Sequence, residues 1–153
     1  MDINEIASQY EASTQFVKQI IGALSGADLD RHQVDGWTPR QVIHHLADSE
    51  AQSYARLRRL IAEPTGTIIQ GYDEAAWAES KILGYRELPV EPSIAVLYAV
   101  RASSLGIIRR LSESDLTKTG EHTEYGAFTI ARWIEVYTRH PRDHGNQITE
   151  ALT

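Results

Sequence analysis

Four long stretches of this chain space their apolar residues at threes, fours and sevens, and few places alternate at two. A chain with that rhythm buries helices against helices. Over residues 3–24 the stripe is Ile6, Tyr10, Val17, Ile20, Ile21 and Leu24, with Gly26 just past its end. The second stretch has the clearest start in the sequence, Thr38-Pro39-Arg40-Gln41. Threonine caps, proline suits the first helical position, and glutamine three residues on closes a capping box. Val42, Leu46, Tyr54, Leu57 and Ile61 carry its face until Glu63-Pro64 stops it. A third helix is predicted over about 92–112, with Ile94, Leu97, Leu105, Ile108 and Leu111 in its stripe. Arg101 falls inside that stripe, its stem expected to pack while its head reaches water or a carboxylate. Thr129 caps the last helix, which carries Ile130, Trp133, Ile134, Tyr137 and Ile148.

Between the second and third helices, Pro64, Gly66 and Gly71 mark a loop, and Asp73 to Ser80 a short helical piece. Only Thr67-Ile68-Ile69 and the segment Gly120 to Phe128 invite a strand, and both are short. The expectation is an all-α four-helix bundle with a short extra helix and loops between the second and third long helices. Ligand sites of such bundles form in the core from side chains on facing helices.

A length of 153 residues suits one domain spanning 1–153. The formal charge of −6 argues against a chain built to hold phosphate backbones, so no nucleic-acid partner is expected. Cysteine is absent, which removes disulfides, thiolate ligands and a cysteine nucleophile. Any thiol chemistry must then use a substrate's thiol. No run approaches the roughly 18 apolar residues of a membrane span. Met1-Asp2-Ile3-Asn4-Glu5 lacks the basic-then-apolar pattern of a signal peptide, so a cytoplasmic protein with no membrane partner is expected.

The histidines carry the chemistry. His140 and His144 are spaced i, i+4, which on a helix places both imidazoles on one face about 6 Å apart at Cβ, a workable bite for a divalent ion. They also lie in the buried stripe itself, since Trp133, Tyr137, His140, His144 and Ile148 follow a 4-3-4-4 spacing. Buried imidazoles need partners, and backbone or carboxylate groups in the core would serve as well as a metal. His44 and His45 point about 100° apart, so one of them can face the core and supply a third ligand. Three histidines from two helices would leave open positions on the ion, as in a catalytic site. His32 and His122 lie in polar loop contexts and are expected to be solvated. Ser49 and Ser53 show no base or acid partner in sequence, so a serine nucleophile is not expected.

The run Gly36-Trp37-Thr38-Pro39-Arg40-Gln41-Val42-Ile43-His44-His45-Leu46-Ala47-Asp48-Ser49-Glu50 resembles the motif that opens the second helix in the DinB/YfiT superfamily. Gly71-Tyr72-Asp73-Glu74-Ala75-Ala76-Trp77 is similar to the loop and short helix of its YfiT-like branch. His140-Pro141-Arg142-Asp143-His144-Gly145-Asn146-Gln147-Ile148 is similar to its C-terminal metal-binding segment. The resemblance implies a four-helix bundle, often a homodimer, with one divalent metal ion per chain held by His45, His140 and His144, zinc or nickel by family habit. It leaves His44 as a packing residue or a support to the ligands rather than a ligand. It places Tyr72, Asp73 and Trp77 at the mouth of the site. Asp48 and Glu50 lie within a turn of His45, where a carboxylate could orient a ligand imidazole. Arg40 and Arg142 could hold a substrate carboxylate, or be surface charge.

One departure bears on the site. Pro141 falls between the two C-terminal histidines and Gly145 follows the second. Proline removes the hydrogen bond that residue 141 would give the carbonyl of Tyr137. The expectation is a kinked helix that still aims both rings at the metal, because Ile148 returns in phase; the other outcome is a damaged site. By resemblance, the activity is that of a thiol S-transferase joining a low-molecular-weight thiol, such as bacillithiol, to an electrophile. A metal-dependent hydrolase using the same site is the alternative, with Asp73, Glu50 or Asp143 as the base. A non-catalytic metal- or ligand-binding bundle is the third.

Overall fold

A computed structural model describes residues 2–153. Five α-helices and three short strands follow one another as α1 (Ile3–Gly22), α2 (Pro39–Ala62), β1 (Ile68–Ile69), α3 (Glu74–Glu79), α4 (Glu91–Ile108), β2 (Thr119–His122), β3 (Gly126–Thr129) and α5 (Ile130–Ala151). Each long helix packs on two others, α1 on α5 and α4, α2 on α4 and α5, so the helices run α1, α5, α2, α4 around the bundle. That order makes α2 and α5 neighbours. Among the described residues, no helix is long and apolar enough to cross a membrane.

The start signals act as read. The Thr38 hydroxyl accepts from the Gln41 amide (3.1 Å), and the Gln41 side chain accepts from the Thr38 amide (2.9 Å). Thr129 accepts from the Arg132 amide at 3.1 Å and opens α5. The third long helix is shorter than its stripe, ending at Ile108. Ser112, whose amide donates to Asp115 at 2.8 Å, starts a separately capped single turn over Glu113–Thr117 and takes the backbone out of register.

Both strand-inviting segments become strands and find each other. β1 pairs parallel with β2, and β2 antiparallel with β3. Gly120 is needed where β2 crosses β1, since a Cβ there would stand 2.7 Å from the carbonyl oxygen of Thr67. This small sheet is an addition to the all-helical expectation. It sits beside the bundle and carries His122 inward.

The core falls into two apolar halves. One contains Tyr10, Leu57, Ile69, Ile108, Trp133 and Tyr137. The other contains Val17, Val42, Leu46, Leu97 and Ile148. On every long helix polar or small side chains stand at inward positions between these halves: Ser13 on α1; Ser49, Glu50 and Ser53 on α2; Arg101 and Ser104 on α4; His140, His144 and Gly145 on α5. A polar layer therefore crosses the middle of the bundle. It is where the chemistry is found.

Candidate metal centre

His45 comes from α2, and His140 and His144 from successive turns of α5. The Nε2 atom of His45 lies 3.2 Å from Nε2 of His140 and 3.1 Å from Nε2 of His144. Ligand bonds of about 2.0–2.1 Å meeting at angles between octahedral and tetrahedral require nitrogens roughly 2.9–3.4 Å apart. The three imidazoles thus converge with the spacing that one ion could occupy. His44 points elsewhere: its Nδ1 meets the Ser93 hydroxyl at 2.7 Å and its Nε2 the Leu88 carbonyl at 3.1 Å.

Burial keeps all three rings neutral. It pushes His45 down to about 3, with nearby His144 adding to the effect. It takes His140 well below the ordinary histidine value, and lowers His144 despite the opposing bond to Gln147. Neutral imidazoles present lone pairs without a proton to displace.

The bracing of these rings differs from expectation. His144 Nδ1 meets the Gln147 side-chain oxygen at 2.7 Å. The Nδ1 atoms of His45 and His140 are buried without a partner. Packing sets their orientation instead, with Trp37 edge-on to His45 at 5.6 Å and Tyr137 edge-on to His140 at 6.4 Å. The carboxylates considered for this role are held elsewhere. Asp48 accepts from the Tyr85 hydroxyl, and Glu50 pairs with Arg101 at 2.7 Å. Asp73 caps α3 through the Ala76 amide at 2.9 Å, and Asp143 pairs with Arg139 on the exposed face.

Pro141 does not break the helix, since α5 runs from Ile130 to Ala151 through it. The Tyr137 carbonyl, deprived of an amide partner by the proline, accepts instead from Arg101 Nη1 at 2.8 Å. The remaining donors of Arg101 go to Glu50 Oε1 (2.7 Å), the Tyr10 carbonyl (3.1 Å), Ser13 Oγ (2.8 Å) and Thr14 Oγ1 (2.6 Å). All five N–H groups of the guanidinium are thereby used. The head of Arg101 reaches a carboxylate, as one arm of the sequence reading had it, yet it is wholly buried. Gly145 also has a reason, because a Cβ there would stand 2.8 Å from the Phe16 ring and 3.0 Å from Ile20 Cδ1. Its absence lets α5 lie close on α1.

A cleft of about 540 Å³ opens beside His140, lined among others by Ser49, Arg56, Tyr72, Glu74 and His122. The Tyr72 ring lies 4.6 Å from that of Trp77. Arg40 is tied to Asp30 and the Leu88 carbonyl, and exposed Arg142 lies over the Phe16 ring. His32 is exposed, as expected. His122 is not: it is only 3% exposed. The reason is the pleat of β2, which turns Gly120 and His122 inward and Glu121 outward. Arg56 and Glu74 had no spacing to single them out. They become visible only when α3 and β2 close over α2.

The sequence profile of the DinB superfamily matches residues 9–148. The chain belongs to the DinB superfamily. This DinB-superfamily chain is 36% identical over 148 residues to a protein of Oceanobacillus iheyensis, covering 96% of this chain and 84% of that one. It is 38% identical over 128 residues to a protein of Bacillus mycoides, covering 80% and 72%. Both relatives carry the name "Putative metal-dependent hydrolase". YfiT from Bacillus subtilis, described as "a probable metal-dependent hydrolase with an unusual four-helix bundle topology", superposes with a TM-score of 0.84 at 29% identity, over 97% of this chain and 85% of that one. TT2238, a four-helix bundle protein, shares the fold with a TM-score of 0.66 at 21% identity, over 97% and 98%.

Proposed function

We propose that His45, His140 and His144 hold one divalent ion, zinc or nickel, and that the site transfers a low-molecular-weight thiol to an electrophile. When bound, the ion keeps its full charge over three neutral imidazoles and lowers the pKa of a thiol or water that reaches it. The observation that supports thiol transfer is the engagement of Asp48, Glu50, Asp73 and Asp143 with other partners. A thiol with a free pKa of about 8.5 needs only a nearby cation to ionise at neutral pH, whereas hydrolysis usually draws on a carboxylate base. In the transfer, sulfur forms a bond to carbon, the leaving group departs with its electron pair, and the thiol proton passes to solvent. The chain's own part is to aim three lone pairs at one point and to offer a cleft beside His140.

Hydrolysis is the second reading, favoured by Glu74. This carboxylate lines the cleft and its charge is felt at His144. Among the described residues it has no ion-pair partner. The names of the relatives point the same way.

Elemental analysis of the purified protein beside its His140→Ala variant is the primary test. About one divalent ion per chain, lost in the variant, supports the site. Retention of the ion in the variant overturns it. Thiol–electrophile conjugation that survives Glu74→Gln supports transfer, and ester or amide hydrolysis abolished by Glu74→Gln replaces it with the second reading. Metal without turnover of either kind leaves a binding protein.

A further inference from the structure

The end of the cleft away from the three converging imidazoles carries two donors, Arg56 and His122. His122 is held between Tyr125 and Phe128, with ring centroids 4.7 and 5.5 Å away. Its Nδ1 accepts the backbone N–H of Glu124 at 3.1 Å. That bond settles the tautomer of the neutral ring: the proton sits on Nε2, so His122 offers the cleft an N–H. Arg56 lines the same cleft, near enough for its charge to be felt at His122. Its Nη1 donates to the Tyr137 hydroxyl at 2.9 Å and its Nη2 to the Gln70 carbonyl at 2.7 Å. Both acceptors are neutral, and Arg56 Nε is buried without a partner.

The other arginines lining the cleft are already neutralised, Arg132 by Glu135 at 2.6 Å and Arg139 by Asp143 at 3.4 Å. Arg56 is the cleft-lining arginine left without a carboxylate among the described residues. A guanidinium so placed, with an imidazole N–H beside it, matches a planar anion. Asp73, Glu74 and Glu124, all exposed, stand around the adjoining part of the cleft. Their charge penalises a dianion such as phosphate more than a single carboxylate.

We propose that Arg56 and His122 form an anchor for a carboxylate, so that a substrate processed in this cleft is a carboxylic acid. The inference rests on the reading of the same cleft as the substrate site. It does not require the ion.

The test uses the metal-free full chain, titrated with butyrate and followed by ¹H–¹⁵N NMR of the His122 imidazole and the Glu121–Tyr125 amides. Saturable shifts in that segment, absent with methyl butyrate, are expected. Arg56→Met and His122→Phe should each weaken binding by about ten-fold or more, and Arg56→Lys should retain part of it. A dispersed amide spectrum of each variant shows that it is folded. Butyrate that leaves the cleft unshifted, or that binds both variants as well as the parent, overturns the proposal. Cobalt(II) added afterwards separates the two readings. Butyrate binding without a histidine-ligated cobalt spectrum keeps the anchor and removes the metal site; the reverse keeps the site and removes the anchor.

Discussion

Two polar clusters share the middle layer of this bundle, and they are finished to different degrees. Around Arg101, every guanidinium N–H has an acceptor within 3.1 Å, and Glu50 Oε2 takes the Ser53 hydroxyl at 2.8 Å. Around His45, three nitrogens crowd one point while two other ring nitrogens go without partners. The Arg101–Glu50 pair is complete with protein atoms alone. The second makes sense when something positive stands among its lone pairs. In a buried layer that contrast separates a group that holds the fold from one that awaits a ligand.

Breaking the complete cluster should produce the largest effect. Arg101→Met leaves the Glu50 carboxylate and the Tyr137 carbonyl buried and unpaired, at a cost of about 3–5 kcal/mol. Denaturant unfolding measures it, and a loss below about 1 kcal/mol would show that the network contributes little. The incomplete cluster should respond to conditions instead. Metal-free protein carries histidines whose folded pKa lies below the unfolded value, His45 at about 3 against 6.5. Between those values the unfolded chain binds more protons, so stability is intact above about pH 6.5 and falls as the pH drops. At pH 5 a histidine that stays neutral has lost about 2 kcal/mol of its contribution. Zinc at a hundred times its Kd should add back about 2.7 kcal/mol at neutral pH, and nothing in His140→Ala. Thermal melts at pH 5 and 7 with and without zinc read both effects, and a pH-independent metal-free melt would contradict the depressed values. The smallest effect belongs to Gly145→Ala. Helix propensity gains about 1 kcal/mol, while the Phe16 ring, 2.8 Å from the new Cβ, must shift and Ile20 must give way by a few tenths of an ångström. The sum should lie within about 1 kcal/mol of zero, and a larger loss would mean that α1 cannot yield.

The sequence made the bundle legible because its stripes are long and its caps unambiguous; Thr38-Pro39 and Thr129 each start a helix where they should. The shared face of His140 and His144 was legible for a related reason, since helical spacing dictates which residues stand together; His45 was singled out from His44 by the resemblance of its motif. What stayed hidden depends on contacts distant in sequence. His122 looked like a loop residue because a four-residue strand is too short to display its alternation. Arg56 is one more arginine on a helix until β2 folds beside it. The outcome at Pro141 was legible only in part, since the carbonyl it strands is rescued by Arg101, 36 positions away.

The order of the helices in the chain also has a temporal meaning. His45 and its nearest partner nitrogens are separated by 95 and 99 positions, and α5 supplies two of the three imidazoles. A nascent chain that has released α1 to α4 offers an ion one histidine of the trio, which is too weak a grip to select or retain it. Only the emergence and docking of α5 brings the three imidazoles together. A divalent ion at this point would therefore be captured late in the life of each molecule, coupled to completion of the bundle, and partly made chains would compete poorly for it.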